Sequence, residues 1–434
     1  IKNKHMGILE IQRRIIKNFK ILGLTKVLSG IASALTIFIL ARELGVEKFG
    51  ILSIAIAFVE VLNIVLSLRI WEATTKFLSD VKQDREASAN LILNSIALAI
   101  KSSAFACFII CFFSYQYSNL IFNYQIDITK IIIIYSLFYV VFTANEVIDG
   151  ILRTFNDYKR ILFNNVTSNF IRLLLVFIAL RFSDDLTLVI TAMGLSILLS
   201  FGIKIYSLVG LMRNSNMPID FINKKYPSKF MTYIFSTHFS NIINLANEKN
   251  LGVLLVGYIV GPFYAGLFKA ARSIVKIIRR IMDPLLDIAY PEFISLVNKG
   301  RLNDLIKLIA RSTKILGLIS LAVGAVLFIL SEEIITLFFG IKYTEAHTAL
   351  SLLVIASLIN NISYWITPAI LALGKPRYLL IISSFVSVIY IATLYPLVIN
   401  FNHDGAALSG LLRAFSVFLI GIILFRKALK KKII

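Results

Sequence analysis

Hydrophobic positions along the chain form long stretches, each about 20 residues in length, with short polar segments between them. An apolar helix of about 20 residues crosses the roughly 30 Å hydrocarbon core of a bilayer. The pattern therefore predicts an all-α integral membrane protein with about twelve transmembrane helices. The predicted spans are residues 20–41, 49–68, 91–113, 130–148, 161–181, 187–211, 231–257, 263–290, 312–330, 345–370, 378–399 and 405–425.

Composition agrees with this prediction. Of the 434 residues 58% are hydrophobic and only 16% are charged, and the mean hydropathy is +0.83. A soluble globular protein has about a quarter charged residues. The chain therefore has too few charged residues for a soluble protein of this length.

Basic residues are distributed unevenly between the two sets of loops. The formal net charge is +21, and 28 of the 45 Lys and Arg residues lie in the N-terminal segment, the C-terminal tail and every second loop. The intervening loops contain only Arg42, Lys48 and Lys342. The positive-inside rule then predicts that both termini are cytoplasmic, as an even number of spans requires. The distribution favours contact of the basic tail with anionic membrane lipid and argues against nucleic acid as a partner.

Two motifs recur along the chain at almost the same offset. Gly45 to Gly50 opens the second span and Gly261 to Gly266 opens the eighth, and Gly150 to Arg160 matches Ala369 to Tyr378. The matches predict two parallel six-helix repeats that enter the membrane from the same side, because six is an even number. The predicted lobes are residues 1–212 and 231–434, with a cytoplasmic linker at 213–230.

The eighth span carries a row of cations at membrane depth, which consists of Lys269, Arg272, Lys276, Arg279 and Arg280. Spacings of three and four place these side chains on one face of a helix. A Lys or Arg at the bilayer centre costs about 2.5 to 3.5 kcal/mol, so the row is expected to line a polar interior that binds an anion. The alternative is that carboxylates neutralise the row, including Asp283 and Asp287 of the same span.

Further cations lie within other spans, at Lys26, Lys101, Arg172, Lys204, Lys249, Lys314 and Arg413. Lys26 and Arg172 are candidates for the same anion-binding site. Arg172, like Lys101 and Lys204, is explained equally well by snorkelling toward the headgroups or by pairing between helices.

The seventh span has a polar face formed by Asn241, Asn244 and Glu248. Their oxygen atoms are suited to binding Na⁺ or exchanging a proton. Hydrogen bonding between helices is the alternative role for the two Asn side chains. We expect no metal site and no organic cofactor, and a gradient of H⁺ or Na⁺ is the candidate energy source.

Signatures of an enzyme are missing from the sequence. Gly261 and Gly266 have the glycine spacing of a P-loop, but Leu267 and Phe268 stand where Lys and Ser or Thr are needed. A membrane-embedded glycan polymerase or glycosyltransferase is the rival class, and such enzymes usually carry an extended outer loop. The longest predicted outer loops here are only residues 114–129 and 331–344. We therefore expect a transporter.

Several motifs together resemble those of a known family. They are ARELGVEKFGILSIAIAF at Ala41 to Phe58, GPFYAGLFKAARSIVKIIRRIMDPLLDIAYPEF at Gly261 to Phe293, LALGKPRYLLIISS, and HDGAALSGLLRAF. In this order they resemble the bacterial polysaccharide biosynthesis membrane proteins, the Wzx-type flippases. That family belongs to the MOP superfamily, which also contains multidrug and toxic-compound (MATE) exporters and lipid II flippases.

The resemblance implies a fold and a function. The implied fold is a V-shaped MATE-like pair of six-helix lobes around a central cavity, into which Lys26 would project a cation. The implied function is to flip an undecaprenyl pyrophosphate-linked oligosaccharide across the bacterial inner membrane for O-antigen (lipopolysaccharide) or capsule synthesis. A glycan polymerase and a chain-length regulator would be partners. A cation-coupled multidrug or metabolite exporter of the same fold is the alternative.

Overall fold

The computed structural model describes the backbone of residues 2–121, 128–218, 226–243 and 249–433. Within these ranges it does not describe the side chains of residues 2–20, 22, 118–121, 240, 243, 249, 277–291 and 431–433. The described residues are almost entirely helical, and no strand occurs among them.

The chain divides into two compact units. Unit 1 consists of Ile1–Ile37 and Phe58–Ile242, and unit 2 consists of Phe38–Ala57 and Ile243–Ile434. The predicted lobes differ from these units at two places, because residues 38–57 belong to unit 2 and residues 213–242 belong to unit 1. The lobe boundaries of the sequence repeat therefore stay a prediction.

Unit 1 is built mainly from the first eight helices. These are α1 (Lys2–Leu66), which also contains the 38–57 segment of unit 2, α2 (Ile70–Val81), α3 (Arg85–Ile121), α4 (Ile128–Tyr139), α5 (Phe142–Thr154), α6 (Tyr158–Phe182), α7 (Leu186–Asn214) and α8 (Phe230–Ile243). Aspartates begin two of them, because the side chain of Asp157 accepts from the backbone N–H of Arg160 and that of Asp185 accepts from Thr187. Such caps satisfy backbone donors that have no partner in the first turn of a helix.

Unit 2 contains the remaining helices. These are α9 (Lys249–Val260), α10 (Pro262–Asn298), α11 (Leu302–Ile329), α12 (Ser331–Phe339), a 3₁₀ turn (Ile341–Tyr343), α13 (Ala346–Ile362), α14 (Ile366–Ala372) and α15 (Pro376–Ile433). Pro262 is the first residue of α10, where its missing N–H costs no hydrogen bond. Helix α12 lies in the segment that was expected to be an outer loop, and its Ile335 and Phe339 side chains are buried.

Eight described segments are long and apolar enough to cross a membrane. Two of them, Gly23–Leu66 and Pro376–Lys430, contain 44 and 55 residues. A straight helix of 55 residues would measure about 80 Å, more than twice the roughly 30 Å hydrocarbon core. Each is interrupted by one residue with non-helical backbone angles, Gly45 and Asn402 respectively. Each therefore has room for two predicted spans, while the count of twelve stays a prediction.

The sequence repeat reappears in the backbone conformation. Gly45 has φ 72° and ψ 175°, and its counterpart Gly261 has φ 97° and ψ 174°. Asn156 ends α5 with φ 59°, and its counterpart Gly374 ends α14 with φ 72°. Glycine and asparagine are the residues that most readily adopt positive φ, so both motifs specify the same kind of break in helical conformation in each half.

The two glycine motifs also contact each other, and they do so reciprocally within unit 2. A Cβ atom on Gly50 would lie 1.8 Å from the carbonyl oxygen of Pro262, and one on Gly266 would lie 2.3 Å from the carbonyl oxygen of Val46. Val46 and Pro262 are equivalent residues of the repeat, as are Gly50 and Gly266. The first turns of the two helices therefore touch backbone to backbone, which explains why residues 38–57 belong to unit 2.

Candidate functional site

Helix α10 places the predicted cation row on a continuous helix of 37 residues. Lys269 and Arg272 are half-buried, and Lys276 is exposed. The side chain of Arg279 lies outside the described part, as do those of Asp283 and Asp287. The predicted common face of Lys269, Arg272 and Lys276 follows from their spacings of three and four residues along this helix.

The guanidinium of Arg272 lies beside aromatic groups of unit 2. Its Cζ atom is 5.5 Å from the ring centroid of Phe268, one turn earlier on α10. Arg272 and Arg413 are both within electrostatic reach of the buried Tyr390 of α15. A cation over an aromatic face is stabilised by the ring quadrupole, which helps to hold Arg272 in place.

Arg413 and Tyr390 are site residues that the sequence reasoning did not select. Arg413 is visible in the sequence as one of several cations inside apolar spans, but its spacing does not connect it with α10. The break at Asn402 separates the two arms of α15. Arg413 comes within electrostatic reach of Tyr390 across that break, which depends on the tertiary structure. Hydropathy alone contains no signal for it.

The other two predicted cations lie in unit 1. Lys26 is a half-buried residue of α1. Arg172 is half-buried on α6 and lies within electrostatic reach of the buried Tyr135 and Tyr139 of α4, as does Glu60 of α1. Arg172 therefore has anionic and phenolic neighbours, which accords with pairing between helices. Its predicted substrate role stays a prediction, as does that of Lys26.

Of the three residues predicted for ion coupling, only Asn241 lies among the described residues. The Oδ1 atom of Asn241 accepts a hydrogen bond from Nη1 of Arg69. Asn244 and Glu248 lie outside the described residues. Because a guanidinium already occupies the amide oxygen of Asn241, that oxygen is used for contact between helices in this arrangement.

Arg69 stands at a break between two helices. α1 ends at Leu66 and α2 begins at Ile70, and three buried hydroxyl groups meet at the break. Ser67 Oγ is 2.9 Å from Thr143 Oγ1 of α5, and Ser103 Oγ of α3 donates to the same Thr143 atom at 2.7 Å. These hydroxyls fix the ends of α2 and α5 beside each other inside the span, where water is scarce and polar groups need partners.

The break lies beside a set of charged and polar side chains that we call the unit 1 cluster. Its members are Arg69, Glu72, Asn145, Glu146, Asp149 and Lys204. Arg69 forms an ion pair with Glu72 at 2.9 Å, and Lys204 Nζ lies 2.8 Å from Asp149 Oδ2. Glu146 is within electrostatic reach of the other four charged members. Sequence reasoning missed the cluster because the apolar stretch ends at Leu68, which placed Arg69 in a cytoplasmic loop.

Comparison with known sequences shows the family of this chain. The sequence profile of the polysaccharide biosynthesis protein family matches residues 15–297, which is more than half of the chain. The chain belongs to this family. The matched range contains Lys26, Arg172, the unit 1 cluster and all but the last residue of α10. No curated protein sequence matches the chain significantly.

Solved structures show the fold of this family member. The inward-facing conformation of a multidrug resistance MATE family transporter of the MOP superfamily is 16% identical, with a TM-score of 0.74 over 91% of this chain and 96% of that chain. The lipid II flippase MurJ in its inward closed conformation is 15% identical, with a TM-score of 0.67 over 95% and 87%. At these identities the likeness establishes the MATE-like helical fold alone.

A third solved structure is similar over nearly the whole chain. It is a MOP superfamily transporter from Pyrococcus furiosus, described as having a binding pocket of reverse polarity. It is 15% identical, with a TM-score of 0.64 over 96% of this chain and 95% of that chain. The expected resemblance to the polysaccharide biosynthesis proteins and to the MOP superfamily is thus confirmed, and the family member is a multi-pass membrane protein.

Proposed function

We propose that this protein translocates an oligosaccharide linked to undecaprenyl pyrophosphate from the cytoplasmic to the outer leaflet of a bacterial inner membrane. The product supplies surface polysaccharide synthesis, as O-antigen or capsule. The observation that carries the proposal is the set of three cations, Lys269, Arg272 and Lys276, on one long helix of a polysaccharide biosynthesis protein, where the sequence predicts the eighth span.

The pyrophosphate group supplies the chemical complement to these cations. It carries two or more negative charges and several acceptor oxygens, and a hydrogen bond to a charged group contributes about 1.5 to 3 kcal/mol. Arg can donate two parallel hydrogen bonds to one phosphate, whereas Lys acts as a compact point charge. Arg272, held over Phe268, would fix the orientation of the head group, while the exposed Lys276 attracts it.

Alternating access accounts for the rest of the cycle. The prenyl chain stays in lipid, since each CH₂ removed from an apolar environment costs about 0.8 kcal/mol. Only the pyrophosphate and glycan need a polar path. The cations bind them from the cytoplasmic side, where both termini lie, and a conformational change then exposes them outside. A glycan polymerase and a chain-length regulator would receive the product there.

The cationic face distinguishes this function from its rivals. An exporter of cationic drugs requires carboxylates where its substrate binds, and Lys269, Arg272 and Lys276 would repel such a substrate. A polymerase or glycosyltransferase requires catalytic groups presented to the glycan on a long outer loop. The segment 331–344, one of the two longest predicted outer loops, forms α12 and a short 3₁₀ turn.

Removal of the gene from its host tests the proposal. A lipid-linked oligosaccharide should accumulate on the cytoplasmic face, detected as pyrophosphate-linked glycan that an impermeant glycosidase cannot reach in intact spheroplasts. Wild-type protein should restore surface glycan, and Arg272→Ala should not. Arg311→Ala is the matched control, because Arg311 is an exposed residue of α11. Normal surface glycan without the gene would contradict the proposal.

A further inference from the structure

The charges of the unit 1 cluster do not balance. Its cations are Arg69 and Lys204, and its carboxylates are Glu72, Glu146 and Asp149. With every group ionised the cluster has one negative charge in excess. Asn145, Asp149 and Lys204 are largely buried, and an excess charge beside them is costly unless a proton or another cation neutralises it.

The two ion pairs identify the carboxylate in excess. Arg69 pairs with Glu72, and Lys204 pairs with Asp149. Glu146 takes part in none of the ion pairs found among the described residues. It lies three residues before Asp149 on α5, a spacing at which side chains on a helix are neighbours and like charges repel. Two neighbouring carboxylates relieve that repulsion by sharing one proton.

Acceptor atoms without a donor point to the same place. The Oδ1 atoms of Asn145 and Asp149 are buried and have no hydrogen-bond partner among the described residues. Asn145 is 7% exposed, and Lys204 Nζ lies 3.5 Å from its backbone oxygen and 2.8 Å from Asp149 Oδ2. A protonated carboxyl group is a hydrogen-bond donor, whereas an ionised one only accepts. One proton on the Glu146 and Asp149 pair therefore supplies both the missing charge and a missing donor.

The surrounding elements do not change this balance. Glu146 is also within electrostatic reach of Tyr139 of α4, and Tyr139 in turn is within reach of Glu60 of α1 and Arg172 of α6. The charges of Glu60 and Arg172 cancel, and a phenol is neutral near pH 7. Asn241 of α8 is also neutral and contacts the cluster through Arg69.

Glu146 is placed to exchange a proton with water. Its side chain is exposed, so water has access to the carboxyl group. The carboxylate of Asp149, by contrast, is held by Lys204 and is mostly buried.

We propose that the Glu146 and Asp149 pair binds one proton and releases it once per transport cycle. The proton comes from water on one side of the membrane and leaves to water on the other. The inference rests on the proposed transport function. A metal cation such as Na⁺ is a poor occupant, because the ammonium of Lys204 already lies against Asn145 and Asp149.

Arg69 connects this proton to the substrate. When an anionic head group binds Arg69, the cluster loses part of its compensating positive charge and its affinity for a proton rises. Binding linkage is reciprocal, so protonation also raises the affinity for the anion by the same factor. The pair then supplies the differential affinity that biases one conformation over the other.

Proteoliposomes with an imposed pH difference test the inference. The probe is an undecaprenyl pyrophosphate-linked glycan, and an enclosed pH-sensitive dye reports proton movement. For wild type, one pH unit should change the ratio of translocated to retained glycan by up to about tenfold, since it changes proton activity tenfold. Glu146→Gln, which mimics the protonated form, should show no such change and no proton movement. Glu332→Gln is the matched control, because Glu332 is an exposed residue of α12.

A second measurement needs neither substrate nor transport. Infrared spectroscopy of purified wild-type protein in detergent near neutral pH should show the carbonyl band of a protonated carboxyl group. The band should be missing from Glu146→Gln and present in Glu332→Gln. A wild-type spectrum without the band would overturn the inference even if the variant fails to fold.

The transport outcomes separate the two proposals. If wild-type protein translocates the glycan at a ratio that does not depend on the pH difference and moves no protons, the proposed proton site is wrong. The proposed flippase function would still hold. Proton-dependent export of a cationic dye without glycan translocation would overturn the flippase and leave the proton site intact. If glycan translocation by Glu146→Gln still depends on the pH difference, other groups bind the proton.

Discussion

The ammonium of Lys204 lies 2.8 Å from Oδ2 of Asp149 and joins α7 to α5 inside unit 1. The two side chains are only 7% and 17% exposed. Removing one partner leaves the other charge uncompensated, at a cost of about 3 to 5 kcal/mol. We expect Lys204→Met to lower the thermal midpoint in detergent strongly, and Lys204→Met with Asp149→Leu to recover part of the loss.

An exposed pair in the same chain is the control for this prediction. Arg301 and Asp304 are 59% and 40% exposed, and a pair of this kind contributes about 0 to 1 kcal/mol. Asp304→Asn should therefore change the midpoint little. Equal losses in Asp304→Asn and Lys204→Met would show that the Lys204 pair is not buried as described.

The reciprocal glycine contact leads to a second prediction about stability. Gly50→Ala and Gly266→Ala place a methyl group against backbone carbonyl oxygens. Backbone atoms cannot change rotamer, so the clash is not relieved by a side-chain movement. Overpacking of this kind costs about 1 to 3 kcal/mol. Both variants should lower the thermal midpoint, measured by a thiol-independent unfolding assay in detergent.

Gly202 is a matched control for the glycine prediction. It lies in α7, and a Cβ atom there would meet nothing within 4 Å. Gly202→Ala should leave stability unchanged or raise it by up to about 1 kcal/mol through helix propensity. A loss in Gly202→Ala as large as in Gly50→Ala would mean that the close approach is not the cause.

The cations of α10 should be needed for transport and not for folding. Arg272→Ala and Lys276→Ala are each expected to lower the translocation rate at least tenfold, because each removes a counter-charge for the pyrophosphate. Expression and thermal midpoint should match those of Arg311→Ala. If the cations serve only as structural partners of carboxylates, the variants will instead lose stability, and a folded, active double variant contradicts both roles.

Two carboxylates compete for the coupling role. The polar face of the seventh span predicts that Glu248→Gln uncouples transport from an ion gradient, and the unit 1 cluster predicts this of Glu146→Gln. Measuring glycan translocation under an imposed Na⁺ or pH gradient for both variants decides between them. We expect translocation by Glu248→Gln to remain dependent on pH. If Glu248→Gln loses this dependence and Glu146→Gln retains it, the coupling site lies on the seventh span.

Much of the helical architecture could be predicted from hydropathy. The spans at 161–181 and 187–211 lie within α6 and α7, and Gly45 and Gly261 mark breaks in helical conformation that recur in both halves. These features depend on local composition and on glycine at positive φ, which are properties of single segments. Sequence alone is sufficient for them.

The helix breaks and the charges they position could not be predicted. α2 follows the apolar stretch that ends at Leu68, and its polar residues made it indistinguishable from a loop. Arg69 and Glu146 lie far apart in the sequence, and the hydrophobic packing of α2 on α5 brings them together with the hydroxyl contact of Ser67 and Thr143. Likewise, residues 38–57 belong to unit 2 through tertiary contacts such as that of Gly50 with Pro262, which have no signal in composition.

Translocation by the purified protein tests the central claim most directly. Proteoliposomes should receive a labelled undecaprenyl pyrophosphate-linked glycan in the inner leaflet, and an external glycosidase should then report its appearance outside. With wild-type protein the glycan should become accessible, whereas protein-free liposomes and Arg272→Ala should leave it protected. Glycan that stays protected with folded wild-type protein, while a cationic dye is exported, would contradict the account.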